Sequence, residues 1–337
     1  MDGDLSNNLR GRVLQLAHGK GESFGALAME IYEYQRKNNG VYRRWVEHMG
    51  KNPDDHAADI MDCHRLHISA WKYHNLVSGS YSPEVVYTSS GTSSSTTASH
   101  YVLSEDFYLG NTVAAFEHRY GAIKDTCILG LLPSYLERRG SSLVAMVEEF
   151  ISRSGIEHSG TYLHDFSKLH NVLHHTRRES IPTVLLGVSF GLLDFVEQYS
   201  MYYPELVVME TGGMKGRRKE ITRAQLHEQL RVGFAVEHIH SEYGMTELLS
   251  QAYSSGGGLY HPSATMQVVI TELNDPMTVA PYGKAGVINV IDLANIDSCS
   301  FLMTEDVGIG YEDGTFEVLG RLDASDMRGC NLMVTDI

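Results

Sequence analysis

The residues best suited to chemistry in this chain fall in two short stretches. In "SEYGMTE", Ser241–Glu247, the carboxylates Glu242 and Glu247 bracket an aromatic ring and a hydroxyl. Hard carboxylate oxygens are the ligands Mg²⁺ takes together with phosphate groups. Tyr243 offers a face on which a base can stack, and Thr246 a hydroxyl. The same residues also read as a helix start with surface acids. The second stretch, "VYTSSGTSSSTTASH", packs ten serines and threonines around Gly91 between Val86 and His100. Glycine permits close backbone approach, and hydroxyls donate to anionic oxygens, so the stretch reads as a phosphate loop or as a polar linker. It is not a P-loop, because G-x-x-x-x-G-K-[ST] occurs nowhere in the chain.

These residues need a scaffold, and the rest of the sequence supplies the outline of one. The 337 residues carry a formal net charge of −15, which argues against a general nucleic-acid binder. No apolar run approaches the length of a membrane span, and the polar N-terminus "MDGDLSNNLRGR" lacks a secretory core, so a cytoplasmic protein is expected. Cys63, Cys127, Cys299 and Cys330 are scattered and read as reduced thiols.

Residues 1–80 read as a helical region. In "SFGALAMEIYEYQRKNN", Phe24, Leu27, Ile31 and Tyr34 recur at helical spacing behind the N-cap Ser23. Residues 81–260 alternate buried strands with helices: "EVVY", "CILGLLP", "PTVLLGVS", "ELVVMETGG" and "FAVEHIHSEYG" as strands, and "SSLVAMVEEFISRSG", "GLLDFVEQY" and "RAQLHEQLRVG" as helices. The first of these helices is expected to bury Leu143, Met146, Val147, Phe150 and Ile151 and to close at Gly155. Residues 261–337 turn to short strands, "QVVITEL", "AGVINVIDL", "SFLMTEDVG" and "TFEVLGRLD". The expected fold is therefore α/β, a mostly parallel sheet flanked by helices, with a smaller β-rich C-terminal subdomain. The unusual loops "TSSGTSSS", "PSYLERRGSS", "TGGMKGRRKE" and "SEYGMTE" follow strands, where ligands of open α/β sheets bind.

Taken in order, "YTSSGTSSST", "TGGMKG", "YGMTE", "TEDVG" and "GRLDASDMRG" resemble the motifs of acyl-adenylate-forming enzymes. The nearest resemblance is to acyl-protein synthetases, the fatty-acid-activating synthetases of bacterial light emission, which are related to phenylacetate–coenzyme A ligases. "LLPSYLERRGSSLVAMV" and "LLGVSFGLLD" share it. The resemblance implies the N-terminal part of the adenylate-forming fold and a two-step reaction. ATP with Mg²⁺ and a carboxylic acid, here a fatty acid, give an acyl-adenylate, and a thiol or hydroxyl of a partner then takes the acyl group. The partner would be an acyl carrier, a reductase or another protein acceptor.

Carried over by motif, the resemblance assigns Ser89, Ser90, Gly91, Thr92 and Ser93, with the loop on to Ser95, to the triphosphate. Gly212 and Gly213 would line the adenine, with Tyr243 stacked on it and Gly244 following. Thr246 would contact phosphate, Glu247 would hold Mg²⁺, and Asp306 and Arg321 would bind the ribose. In that branch a cysteine near the C-terminus holds the acyl group, and Cys330, beside Arg328, matches it; a space-filling thiol is the other reading. Two departures stand out. The loop lacks the family's Gly and Pro-Lys, and the sequence ends 16 residues after Arg321, without the mobile C-terminal domain of many relatives. "KGRRKE" reads either as a phosphate neutraliser or as a solvated basic turn. His170 and His174 have metal-ligand spacing but no H-E-x-x-H motif, and read as surface or capping histidines. Two rival functions remain at this point: an acyltransferase using a pre-activated thioester, and a non-catalytic nucleotide-binding subunit.

Overall fold

A computed structural model describes residues 2–49, 57–89, 97–133, 140–163, 165–212 and 221–322. The chain forms two compact units that do not follow its order. One gathers Met1–Ala115, Gly244–Ala252 and His261–Ile337; the other gathers Phe116–Tyr243 and Tyr253–Tyr260.

The second unit is the parallel α/β part. Among the described residues its strands run in the order Gly160–Thr161, Cys127–Leu131, Thr183–Val188, Val207–Thr211 and His240–Tyr243, each parallel to its neighbour. Cys127–Leu131 and Thr183–Val188 are buried at every position, as expected of central strands covered on both faces.

The helices between the strands are set by identifiable caps. Ser141 accepts the Val144 amide and starts Ser142–Arg153. Thr222 and Gln225 form a reciprocal capping box that starts Arg223–Phe234. Three sequence expectations are corrected here. Val144 takes the buried place expected of Leu143, and Leu143 and Ile151 stand half-buried at the edge of the face. Gly155 is not a left-handed cap: the helix stops at Arg153, and Gly155 is where the backbone passes so close to Lys124 that a Cβ would lie 2.9 Å from its carbonyl oxygen. The strand expected from Phe234 begins only at His240, because Phe234 ends a helix and Ala235 caps it at φ 54°.

The first unit holds the helices Asp2–Ala17, Phe24–Asn38 and Gly40–His48 and an antiparallel sheet. In that sheet Met266–Thr271, Ala285–Asp292, Phe301–Gly310 and Phe316–Arg321 pair in chain order. Ser23 caps its helix as expected, and Leu27, Ile31 and Tyr34 are buried, while Phe24 is half-buried. The unit also holds an antiparallel hairpin of Val85–Thr88 and Ser99–Val102. The "EVVY" strand thus stands in a separate ribbon and is no member of the parallel sheet, because its described partner is the antiparallel strand Ser99–Val102.

The short segment Asn295–Ser300 ties the first unit together. The Gln35 amide donates to the carbonyls of Asn295 and Ile296, at 2.9 Å each. Tyr81 Oη donates to Asp297 O at 2.8 Å, and Asn39 Nδ2 to Ser298 O at 2.8 Å. Ser6 and Arg10 both bond the Asp297 carboxylate. Buried peptide carbonyls require partners, and here side chains from a helix, from the cap that follows it and from a loop supply them.

Candidate functional site

In the first unit, the turn after Tyr243 carries Thr246 and Glu247, and its backbone is held from two sides. Asn295 Nδ2 donates to Glu247 O at 2.8 Å, and His100 Nδ1 donates to Thr246 O at 2.8 Å. Asp292 fixes the residues that follow. Its carboxylate accepts the amides of Leu249 and Ser250 and the Ser250 hydroxyl, and Asn111 donates to the Leu249 carbonyl. The Glu247 carboxyl is buried, and burial pushes it up to about 7, opposed by its own backbone and by the charges of Arg321 and Lys72.

Asp306 and Arg321 stand opposite each other across neighbouring strands, and Arg321 Nε donates to Asp306 Oδ1 at 3.0 Å. The register places them there through an irregularity at Val307/Gly308, and a Cβ on Gly308 would strike the Glu317 carbonyl. Asp306 is buried, while the Arg321 side chain is 71% exposed. Glu247, Asp306 and Arg321, taken from three separate motifs, therefore lie within one electrostatic neighbourhood.

Ser89 closes the base of the hairpin. Its amide donates to Ala98 O, and its Oγ accepts the Ala98 amide at 2.9 Å. Ser90, Gly91, Thr92 and Ser93, and the rest of the loop to Thr96, lie outside the described residues, as do Gly213, the "KGRRKE" turn and Cys330.

In the second unit the register sets Thr211 beside Val188 and Glu242 beside Thr211, so Ser189, Gly212 and Tyr243 emerge side by side at the carboxyl ends of three parallel strands. Gly212 adopts φ 68°, and its carbonyl accepts the Ser189 hydroxyl at 2.6 Å. Tyr243 is buried, with its ring edge-on to Tyr260 at 5.9 Å between centroids. Thr211 Oγ1 donates to Glu242 Oε2 at 2.5 Å, and Ser189 Oγ to Glu210 Oε2 at 3.2 Å. Burial, with Glu210 nearby, pushes the Glu242 carboxyl up to about 7.

Among the described residues no group of three or more His, Cys, Asp and Glu side chains is arranged to hold a metal ion. A single carboxylate such as Glu247 suits Mg²⁺ when phosphates supply most of the other ligands. His170 and His174 face each other at 3.1 Å on an exposed helix surface. Cys63, Cys127 and Cys299 are buried free thiols, and burial pushes them up to about 12, 11 and 12. None of these three is poised as a nucleophile. The sequence reading gives His100, Asn295, Asp292 and Asn111 no role, since each acts on backbone far away in the chain. No described helix is long and apolar enough to cross a membrane.

No protein-family profile matches the sequence, and no curated protein is significantly similar to it. Solved structures are similar. An open conformation of 2-hydroxyisobutyryl-CoA ligase, in complex with 2-HIB-AMP and CoA, superposes with a TM-score of 0.65 at 13% identity, covering 88% of this chain and 73% of that one. ATP-bound MatB from Rhodopseudomonas palustris gives 0.53 at 15% identity over 72% of this chain and 49% of its own. O-succinylbenzoate coenzyme A synthetase from Bacillus subtilis, in complex with ATP and magnesium ion, gives 0.50 at 19% identity over 70% and 49%. The chain spans about half the length of the latter two. At these identities the likeness is one of fold: the α/β architecture with a β-rich C-terminal region is the one these ligases share.

Proposed function

We propose that this protein is an ATP-dependent acyl-activating enzyme. It joins a carboxylic acid, a fatty acid by resemblance, to the α-phosphate of ATP with loss of pyrophosphate, and passes the acyl group to a thiol or hydroxyl of a carrier or partner. The observation that carries this reading is the gathering of Glu247, Asp306 and Arg321 beside the turn of Thr246. A buried carboxylate, a ribose-sized acid–base pair and a hydroxyl are the parts an adenylation site needs. The shared fold with ligases that hold ATP or an acyl-adenylate supports it.

Mg²⁺, held by Glu247 and the phosphates, would offset negative charge at the α-phosphate. In the first unit, Thr246 would donate to phosphate and Asp306 would accept from the ribose hydroxyls; the roles of Gly212 and Tyr243 toward the adenine are those that the resemblance implies. Cys330 is the proposed acyl-carrying thiol in the transfer step.

The test is carboxylate-dependent ATP–pyrophosphate exchange with Mg²⁺ across short, long and aromatic acids. Exchange with one class is expected, falling on the order of 100-fold in Glu247→Gln. Absence of exchange with every acid would overturn the reading in favour of a thioester-using acyltransferase or a non-catalytic nucleotide binder.

A further inference from the structure

We propose that His100 is a positioning residue that fastens the hairpin under the serine- and threonine-rich loop to the backbone of the Thr246–Glu247 turn. The inference rests on the adenylation reading above and adds to it a residue to which no motif assigns a role.

Tyr87 pairs with His100 and Thr88 with Ser99, so His100 sits at the second rung of the ribbon below the loop. His100 is 1% exposed. Nδ1 lies 2.8 Å from the Thr246 carbonyl, which only accepts, so Nδ1 carries the proton. Nε2 is then a bare lone pair and accepts the Ser298 hydroxyl at 3.0 Å. One neutral tautomer satisfies both bonds, and Trp71 packs edge-on against the ring at 6.3 Å between centroids. Ser298 belongs to the tie segment, whose Asn295 holds the Glu247 carbonyl. His100 thus joins three elements distant in sequence: the hairpin, the carboxylate turn and the tie segment. A buried histidine that merely fills space needs neither bond, whereas this one uses both nitrogens on backbone-anchored partners.

The bland and the functional roles part on substitution. Asparagine sets an amide N–H near the place of Nδ1 and keeps the bond to Thr246 O, while leucine keeps the volume and loses the bond. With the full-length protein and an acid that it activates, His100→Leu is expected to raise KM for Mg·ATP in pyrophosphate exchange about tenfold, and His100→Asn to stay within about threefold of the parent. Unchanged kinetics in His100→Leu, or equal impairment in both variants, would overturn the inference.

If His100→Leu does not fold, Ser298→Ala serves instead. It keeps the imidazole but frees Nε2, and a rise in KM of about threefold is expected; no rise would overturn the inference. If the parent itself shows no exchange, the adenylation reading fails, and His100 is judged by amide hydrogen exchange over Gly244–Ser250. Faster exchange in His100→Leu, restored in His100→Asn, sustains the tether; equal rates in all three proteins refute it.

Discussion

Glu242 is a carboxylic acid held where its charge is costly. Burial comes first among the causes, and the charge of Glu210 adds to it, against one hydroxyl donated by Thr211. Its folded-state value of about 7 exceeds the ordinary 4.5, so the folded protein binds this proton more tightly than the unfolded chain. The stabilising contribution is complete below about pH 4.5 and is lost as pH rises through about 7. Thermal stability is therefore expected to fall between pH 5 and pH 8, and Glu242→Gln to flatten that fall by at most about 3 kcal/mol, read from denaturant midpoints at each pH. Arg321 presents the opposite case. Its pairing with Asp306 is mostly exposed on the arginine side, so Arg321→Ala should cost under about 1 kcal/mol of stability. If the pair serves the ribose, the same variant raises KM for ATP about tenfold; a stability loss without a change in KM would assign the pair to the sheet alone.

At the scale of elements, caps and close approaches decide where pieces start and stop. Asn39 accepts the Val41 and Tyr42 amides at the start of Gly40–His48 and donates to the Ser298 carbonyl. Asn39→Ala removes a cap and leaves a buried carbonyl short of a donor, and should cost about 2 kcal/mol in chemical denaturation. Much at this scale was legible beforehand. The apolar runs at Cys127–Leu131 and Thr183–Val188 and the C-terminal strands stand where the sequence puts them. The misses are physical. Periodicity gave a helical face but misjudged its edge at Leu143, because only the neighbouring sheet fixes which flank is covered. Gly155 looked like a left-handed cap, yet its smallness serves an approach to Lys124, a contact 31 residues away that no local pattern reveals. The second strand of the hairpin, Ser99–Val102, is only four residues long and carries no apolar run to mark it.

At the scale of the molecule, chain order and spatial order part company. The unit that holds Glu247 is assembled from three separated segments, and its tie segment follows Asp292, far from the helices it anchors. Truncation after Tyr260 removes the four-stranded sheet and Asn295–Ser300 together. In such a fragment the amides of Phe24–Asn38 and Gly40–His48 should exchange with solvent at least about 100-fold faster than in the whole chain, by hydrogen-exchange mass spectrometry; retained protection would show that these helices stand without the sheet. The site was legible where a motif carries its own chemistry, as in "YGMTE", and invisible where a residue acts on distant backbone, as Asn295 and His100 do.

The tie segment has a consequence for how this protein can diverge. Gln35, Ser78, Tyr81 and Asn39 reach it through its main-chain carbonyls, four in succession from Asn295 to Ser298. A carbonyl is common to all twenty residue types, so drift at Ile296 leaves these anchors intact, while drift at the donors does not. Lineages descended from this sequence should keep an amide or hydroxyl at positions 35, 39, 78 and 81 while position 296 varies freely, whereas Asn295, Asp297 and Ser298 are held in place by what their own side chains bond.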